Sequence, residues 1–178
     1  MPELEGYEQV EFGVSAPRGF VAGGTACGIK PSGNPDLGIV FSEHGDCAVA
    51  GTFTRNVFAS PGVRYDRAVT GRGVARAIVY NSGNANAATG AQGFSDTLEM
   101  AALTGEKLGI DPDLVLVSST GVIGVPLEMK LINAGIEAVA LSREGAGEAA
   151  RAMITTDPFP KQVAIELKLG AGAGRIGG

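Results

Sequence analysis

The sequence of 178 residues contains no tryptophan, one histidine and two cysteines. The single histidine, His44, lies in a predicted turn, and no Gly-x-Ser-x-Gly segment occurs in the chain. These two observations disfavour a Ser-His-Asp hydrolase, because its serine needs a well-placed histidine base. One histidine and two distant cysteines also supply too few ligands for a zinc site. We therefore expect neither a metal nor a cofactor.

The chain also lacks long apolar runs and clusters of basic residues. No run approaches the roughly eighteen residues that a membrane span needs, and the acidic segment Met1–Glu8 has no apolar stretch typical of a secretory signal. The net charge is −5, and the 14 lysines and arginines are scattered. We expect no membrane partner, no nucleic-acid partner and a cytoplasmic location. Cys27 and Cys47 are then predicted to be reduced thiols, with a disulfide or a metal pair as the alternative.

Glycine, by contrast, is abundant: the chain has 28, more than twice what an average usage of about 7% would give. Because apolar residues make up 44% of the sequence, disorder does not explain this excess, and we expect tight turns and close backbone approaches. The apolar patterns predict one domain, residues 1–178, with an α+β (layered α/β) fold. The predicted strands are 19–28, 37–42, 47–53, 74–80, 114–117 and 163–169, and the predicted helices are 94–108, 126–141 and 146–154.

Connections between these elements are predicted from turn and breaker residues. Residues 43–46 should join the second and third strands in a hairpin, while residues 1–18 and 55–72 are predicted to be irregular. Ser95 or Asp96 is expected to cap the first helix and Gly109 to end it.

The most informative stretch is 114–126, in which a short apolar run leads into three consecutive hydroxyl residues and then two glycines. It is predicted to be a buried strand that ends in a polar turn beginning at Ser118. A hydroxyl on Thr120 beside the backbone N–H of Gly121 could stabilise a developing oxyanion. The alternative is an ordinary strand end with turn residues.

Two further segments are candidates for ligand binding. The asparagine-rich segment 81–90 is predicted to be a structured loop, and whether its amides also face a ligand is left open. The tail contains Gly172-Ala-Gly-Arg-Ile-Gly177, which matches the dinucleotide-binding pattern. Since a pyrophosphate needs the N-terminus of a following helix and none follows in the chain, we do not interpret the tail as a nucleotide site.

Several long motifs, in this order, resemble the ornithine acetyltransferase (glutamate N-acetyltransferase) family. The shared segments extend over nearly the whole chain and are 17–20, 28–33, 79–90, 119–124, 152–157 and 159–161. Several such motifs in register are far more specific than any one of them.

The resemblance implies an N-terminal-nucleophile-type sandwich, like that of ornithine acetyltransferases and related aminopeptidases, that a second chain completes. Members of the family cut themselves before a threonine, which becomes the nucleophile at the start of the β chain. This chain would be the α chain, ending short of the cleavage site and of a substrate-contacting lysine expected in the missing segment. Two αβ units would pair as an α2β2 heterotetramer.

The implied activity is transfer of an acetyl group from N2-acetylornithine to glutamate in arginine biosynthesis, through an acetyl-threonine intermediate. Thr120 and Gly121 match the family's oxyanion-hole positions, and Thr155 or its neighbour Thr156 matches a substrate-contacting position. Whether acetyl-CoA is also a donor depends largely on residues outside this chain. Two alternatives stay open: an N-terminal-nucleophile aminopeptidase of related fold, and a glycine-rich binding or scaffold protein without chemistry of its own.

Overall fold

The computed structural model describes residues 6–170 and 172–178. Within them, a four-stranded sheet, a three-stranded sheet and a two-stranded ribbon pack with four α-helices. The strands are β1 (Tyr7–Gln9), β2 (Phe20–Thr25), β3 (Leu37–Ser42), β4 (Cys47–Ala48), β5 (Val74–Ala75), β6 (Ala77–Asn84), β7 (Val115–Val122), β8 (Ala164–Leu169) and β9 (Gly172–Gly177). The helices are α1 (Pro61–Thr70), α2 (Gly90–Leu108), α3 (Met129–Ala138) and α4 (Ala146–Met153), with 3₁₀ turns at Gly13–Ser15 and Pro112–Leu114. The predicted α+β class is confirmed.

The central sheet has the strand order β2-β3-β6-β7. Its first three strands are antiparallel, whereas β6 and β7 are parallel and are joined by the long helix α2. A parallel pair needs such a crossover, because a tight turn cannot bring two strands side by side in the same direction. The parallel arrangement places the carboxyl ends of β6 and β7 at the same edge of the sheet.

The two faces of this sheet are covered differently, since alternate residues of a strand point to opposite faces. On one face, Val79 of β6 packs among side chains from α1, α2 and α3 and is fully buried. On the other face, Tyr80 donates a hydrogen bond to the Ala149 carbonyl of the short helix α4. The same face leaves Ile78 39% exposed. The main hydrophobic core therefore lies between the sheet and α1 to α3.

Helix α1 lies where the sequence predicted irregular structure. Ser60 caps it by accepting a hydrogen bond from the Val63 N–H, and Pro61 occupies its first turn. Both are recognised helix-start signals. The inward face of α1 carries only a few apolar side chains, of which Tyr65 and Val69 are buried, so the apolar pattern alone was too weak to predict it.

The predicted hairpin between 37–42 and 47–53 is wrong. Strand β3 pairs with β2 and β6, while β4 is only two residues long and pairs with β5. The lead-in also departs from expectation, because β1 pairs with β8 in the small sheet. These pairings join residues distant in the sequence, which local patterns cannot reveal.

The three predicted helices are present with shifted boundaries. Helix α2 begins at Gly90, four residues before the predicted start, so neither Ser95 nor Asp96 caps it. Its predicted end is confirmed, because Gly109 adopts a left-handed conformation at its C-terminus. Helix α3 buries Ile132 and Ile136, and the alanine-rich helix α4 buries Ala146, Ala149 and Ala152.

The glycine-rich tail forms β9, which pairs with β8 along its whole length. The glycines of the dinucleotide-like pattern therefore lie within a paired strand and not in a turn that opens a helix, which is inconsistent with a pyrophosphate site. Cys27 and Cys47 are both free thiols, as the main interpretation predicted. Among the residues described, no helix is both long and apolar enough to cross a membrane.

Candidate active site

Strand β7 runs through the hydroxyl residues instead of ending before them. Its pairing with β6 continues from Val117 to Thr120, which lies opposite Ser82, and to Gly121, which lies opposite Gly83. The predicted polar turn at Ser118 is therefore wrong, and the strand ends at Val122. The register shifts next to Asn84, which marks a bulge at this edge of the sheet.

Only glycine fits at position 121, because of the close approach of β6 and because of the backbone conformation. Its φ is +136°, which L side chains rarely adopt. A Cβ on Gly121 would lie 2.4 Å from the carbonyl carbon of Gly83 and 2.6 Å from the nitrogen of Asn84. Gly121 is exposed and Thr120 is half-buried, so both candidate oxyanion donors lie at an accessible strand end.

The asparagines that follow Tyr80 hold the backbone around this strand end. Asn84 donates from Nδ2 to the carbonyls of Val125 and Pro126, both at 3.1 Å, and its Oδ1 accepts from the Asn86 N–H at 2.8 Å. Asn81 donates to the Asn84 carbonyl at 2.9 Å. These contacts give Asn81 and Asn84 a structural role. They fix the loop that follows Gly121.

The side chain of Ser82 connects this edge of the sheet to helix α4. The buried Ser82 hydroxyl, beside Thr120, donates to the Ala152 carbonyl in the last turn of α4. Thr155 and Thr156 follow that turn and are exposed. The strand end bearing Thr120 and the segment bearing Thr155 are thus linked through Ser82.

Of the two threonines, Thr155 lines a cavity of about 300 Å³. The cavity lies between the end of α4 and the loop that joins β2 to β3. Its polar and charged lining residues are Lys30, Ser32, Asn34, Arg151, Thr155 and Asp157. Thr156 is not among the residues that line it.

The loop between β2 and β3 is shaped by one buried carboxylate. Asp36 is fully buried and accepts hydrogen bonds from the backbone N–H groups of Cys27 (2.7 Å), Gly28 (3.2 Å) and Lys30 (2.9 Å). Burial by itself would raise the pKa of Asp36, but these donors stabilise the charged form and its pKa is lowered. The loop therefore has a fixed shape around the ionised carboxylate.

Cys27 is not an activated nucleophile. Burial, together with the neighbouring Asp36, raises the pKa of its thiol to about 12. Because the thiolate is the reactive form, this thiol is inert near neutral pH.

Lys30 was not among the predicted site residues, although it lies in the shared segment 28–33. Its ammonium group donates to the Pro35 carbonyl at 2.8 Å. Its Cγ lies 3.3 Å from the position that a Cβ on Gly83 would occupy. The lysine therefore packs against β6 directly beside the glycine that pairs with Gly121.

A second, apolar cavity of about 330 Å³ lies on the sheet face that α4 only partly covers. Its lining includes Val40, Ile78 and Tyr80 from the sheet and Ala149 and Met153 from α4. No group of three or more His, Cys, Asp or Glu side chains within residues 6–170 and 172–178 could hold a metal ion.

Chemically, this edge of the sheet offers a hydroxyl and an exposed glycine N–H next to a polar cavity with a lysine. Such donors can stabilise negative charge that develops on a carbonyl oxygen. Thr120 and Gly121 lie together, and Thr155 is connected to them through β6 and α4.

Comparisons with known proteins agree with this structure. The ArgJ family model matches residues 21–178. An arginine biosynthesis bifunctional protein ArgJ from Symbiobacterium thermophilum is 49% identical over 174 residues, covering 96% of this chain and 43% of that protein. One from Synechococcus is 46% identical, covering 97% of this chain and 42% of that protein. The chain thus spans about two fifths of the length of these relatives.

Two solved structures have the same fold. Ornithine acetyltransferase from Mycobacterium tuberculosis, complexed with ornithine, matches with a TM-score of 0.91 and 40% identity, covering 97% of this chain and 93% of that one. The ArgJ protein from Bacillus halodurans matches with a TM-score of 0.90 and 31% identity, covering 97% and 91%. The predicted fold and the resemblance noted in the sequence are confirmed, and the chain belongs to the ArgJ family.

Proposed function

We propose that this chain is the α part of a cytoplasmic enzyme that transfers an acetyl group from N2-acetylornithine to glutamate in arginine biosynthesis. The observation that carries the proposal is that the consecutive residues Thr120 and Gly121 lie at an accessible strand end, beside a polar cavity lined by Thr155. The names of the relatives, arginine biosynthesis bifunctional protein and ornithine acetyltransferase, support the choice of reaction.

The nucleophile is a threonine at the start of the β chain, outside the residues of this chain. Its hydroxyl oxygen attacks the acetyl carbonyl, and the hydroxyl proton passes to its own α-amine. The carbonyl oxygen becomes an oxyanion that accepts hydrogen bonds from the Thr120 hydroxyl and the Gly121 N–H. The carbon–nitrogen bond then breaks, and the ornithine amine leaves with the transferred proton.

The second half of the reaction reverses these steps with a new amine. The amine of glutamate attacks the acetyl-threonine ester, and the same two donors stabilise the second oxyanion. Collapse releases N-acetylglutamate and restores the threonine hydroxyl. A thioester carbonyl, as in acetyl-CoA, would form the same oxyanion, so use of acetyl-CoA as a donor depends largely on residues outside this chain.

The β chain also completes the fold and forms an α2β2 assembly with the α chain. Support comes from apolar side chains that this chain leaves exposed. In the small sheet, Val163 is 57% exposed, Leu169 61% and Ile176 57%. Obligate interfaces of this kind commonly bury over about 2,000 Å².

The test compares the 178-residue chain with the full-length protein, meaning this chain joined to the rest of its precursor. We expect the full-length protein to form N-acetylglutamate from N2-acetylornithine and glutamate, and the isolated chain to form none. Transfer by the isolated chain would contradict a nucleophile on the β chain. A full-length protein that releases only free acetate or amino acids would favour the aminopeptidase alternative.

A further inference from the structure

Lys30 contacts β6, the strand next to the one that bears the candidate oxyanion donors. Its side chain packs against Gly83, where the absence of a Cβ makes room for it, and Gly83 pairs directly with Gly121. Neighbouring strands are separated by about 4.8 Å. A ligand whose carbonyl oxygen binds at Gly121 therefore has its adjacent groups within reach of the Lys30 side chain.

The Lys30 ammonium has donors to spare. An ammonium group has three N–H donors, and one of them is used on the Pro35 carbonyl. Within the described residues Lys30 has no salt-bridge partner, whereas the other charges at the cavity are paired, Arg151 with Glu148 and Asp157 with Lys161. Lys30 thus brings to this cavity a positive charge that no salt bridge holds, while the ionised Asp36 carboxylate nearby favours its charged form.

The lysine is also held in place before any ligand arrives. Its backbone N–H donates a hydrogen bond to the buried Asp36 carboxylate, which holds the loop in shape. Lys30 is half-buried, and this burial lowers the pKa of its ammonium group. A partly desolvated, pre-positioned charge binds an anion more strongly than a mobile surface lysine does.

We propose that the Lys30 ammonium and the Thr155 hydroxyl bind the α-carboxylate of the amino-acid substrate. This inference rests on the proposed function and adds the substrate group that each residue recognises. In N2-acetylornithine only the amide nitrogen and the α-carbon separate the carboxylate from the acetyl carbonyl. A carbonyl oxygen at Thr120 and Gly121 therefore places the carboxylate at the neighbouring cavity that Lys30 and Thr155 line.

The test uses the full-length protein and a substrate that differs only in this group. N-acetylputrescine is N2-acetylornithine without its carboxylate, and acetyl transfer from each donor to glutamate is measured as kcat/KM for the donor. Loss of a charge-assisted hydrogen bond predicts that Lys30→Met lowers kcat/KM for N2-acetylornithine by about 10- to 100-fold. The value for N-acetylputrescine should stay within about twofold of wild type, because that donor has no carboxylate to lose.

Two more variants sharpen the assignment. Thr155→Val should lower kcat/KM for N2-acetylornithine by about two- to tenfold, since a neutral hydroxyl contributes less than an ammonium. Lys107→Met removes a lysine of α2 that, like Lys30, donates to a backbone carbonyl, and it should leave both donors unaffected.

The inference is overturned if Lys30→Met lowers kcat/KM equally for both donors, which would show a merely structural role, or if it changes neither. Failure of the wild-type protein to use N2-acetylornithine would instead reject the proposed function. The two failures are therefore distinguishable in the same assay.

Discussion

The two halves of the parallel pair β6–β7 differ in nearly every physical respect. At the amino end, Val79 and Val117 are at most 1% exposed and pack against α1 to α3. At the carboxyl end, Ser82 is buried but uses its hydroxyl on helix α4, and Thr120 and Gly121 open toward solvent. One pair of strands thus combines a hydrophobic core with a polar, bulged edge.

Under the proposed function, this difference separates stability from chemistry along a single element. Apolar burial is non-directional, so the amino half needs only the right volume. Oxyanion donors must be aimed at one point, so the carboxyl half needs particular backbone angles and hydrogen bonds. Substitutions in the two halves should therefore have different consequences, which the following changes to the full-length protein test.

The largest effect is expected from Gly121→Ala, because this change should lower both stability and activity. The added methyl group would overlap the backbone of Gly83, and the alanine would have to adopt a strained φ. We expect the free energy of unfolding to fall by about 3 kcal/mol or more, measured by urea denaturation. Gly147→Ala in α4, where the nearest atom is 3.6 Å away, is the control and should be neutral or slightly stabilising.

The next effect is expected from Thr120→Ala, which should act on activity alone. Loss of an oxyanion donor predicts a fall in kcat of about 100-fold or more, with the KM for glutamate nearly unchanged. Steady-state kinetics and a thermal unfolding curve measure the two properties separately. The exposed Ser118→Ala, two residues earlier in β7, is the control. A decrease below about threefold for Thr120→Ala would reduce this segment to an ordinary strand end.

A moderate effect on stability is expected from Val79→Ala in the amino half. Val79 is fully buried in the core, so removing its two methyl groups should lower the free energy of unfolding by about 2 kcal/mol. The kcat of the remaining folded enzyme should change less than about threefold. Val74→Ala, at a position that is 36% exposed, should cost clearly less. Equal costs at the two positions would contradict the proposed location of the core.

The smallest effect concerns pH and Asp66 of α1, which accepts a hydrogen bond from the Val117 N–H at 2.8 Å. Burial raises the pKa of Asp66 from 3.8 to about 6, against the opposing effect of this hydrogen bond. Between these values the folded protein binds a proton that the unfolded chain has lost, so the contribution of Asp66 to stability falls as pH rises toward 6 and stays low above it.

Asp66→Asn should remove this contribution while keeping an acceptor for Val117. The difference in unfolding free energy between variant and wild type should then shift in favour of the variant as pH rises from about 4 to about 6. Denaturation at several pH values measures it, with the exposed Asp46→Asn as the control. A difference that is constant across this window would contradict the raised pKa.

The sequence alone predicted the elements whose residues repeat with a clear period. Strands β2 and β3, the apolar part of β6 and the helices α2 to α4 were predicted at or near their observed positions. Thr120 and Gly121 were singled out because a hydroxyl beside a glycine N–H can stabilise an oxyanion and because they match the oxyanion-hole positions of the family that the sequence resembles. The roles assigned to them and to Thr155 and Thr156 stay predictions, which the kinetic experiments test.

The tertiary structure decided everything that depends on pairing between distant segments. Residues 81–84 and 118–122 have no apolar period, and they are strands because they pair with each other and, at Asn81, with β3. Lys30 became a candidate because folding brings it against Gly83, a contact between residues 53 positions apart. The physical reason is general: local sequence fixes periodicity and turn preferences, whereas long-range hydrogen bonding and packing decide where a strand ends and which side chains meet.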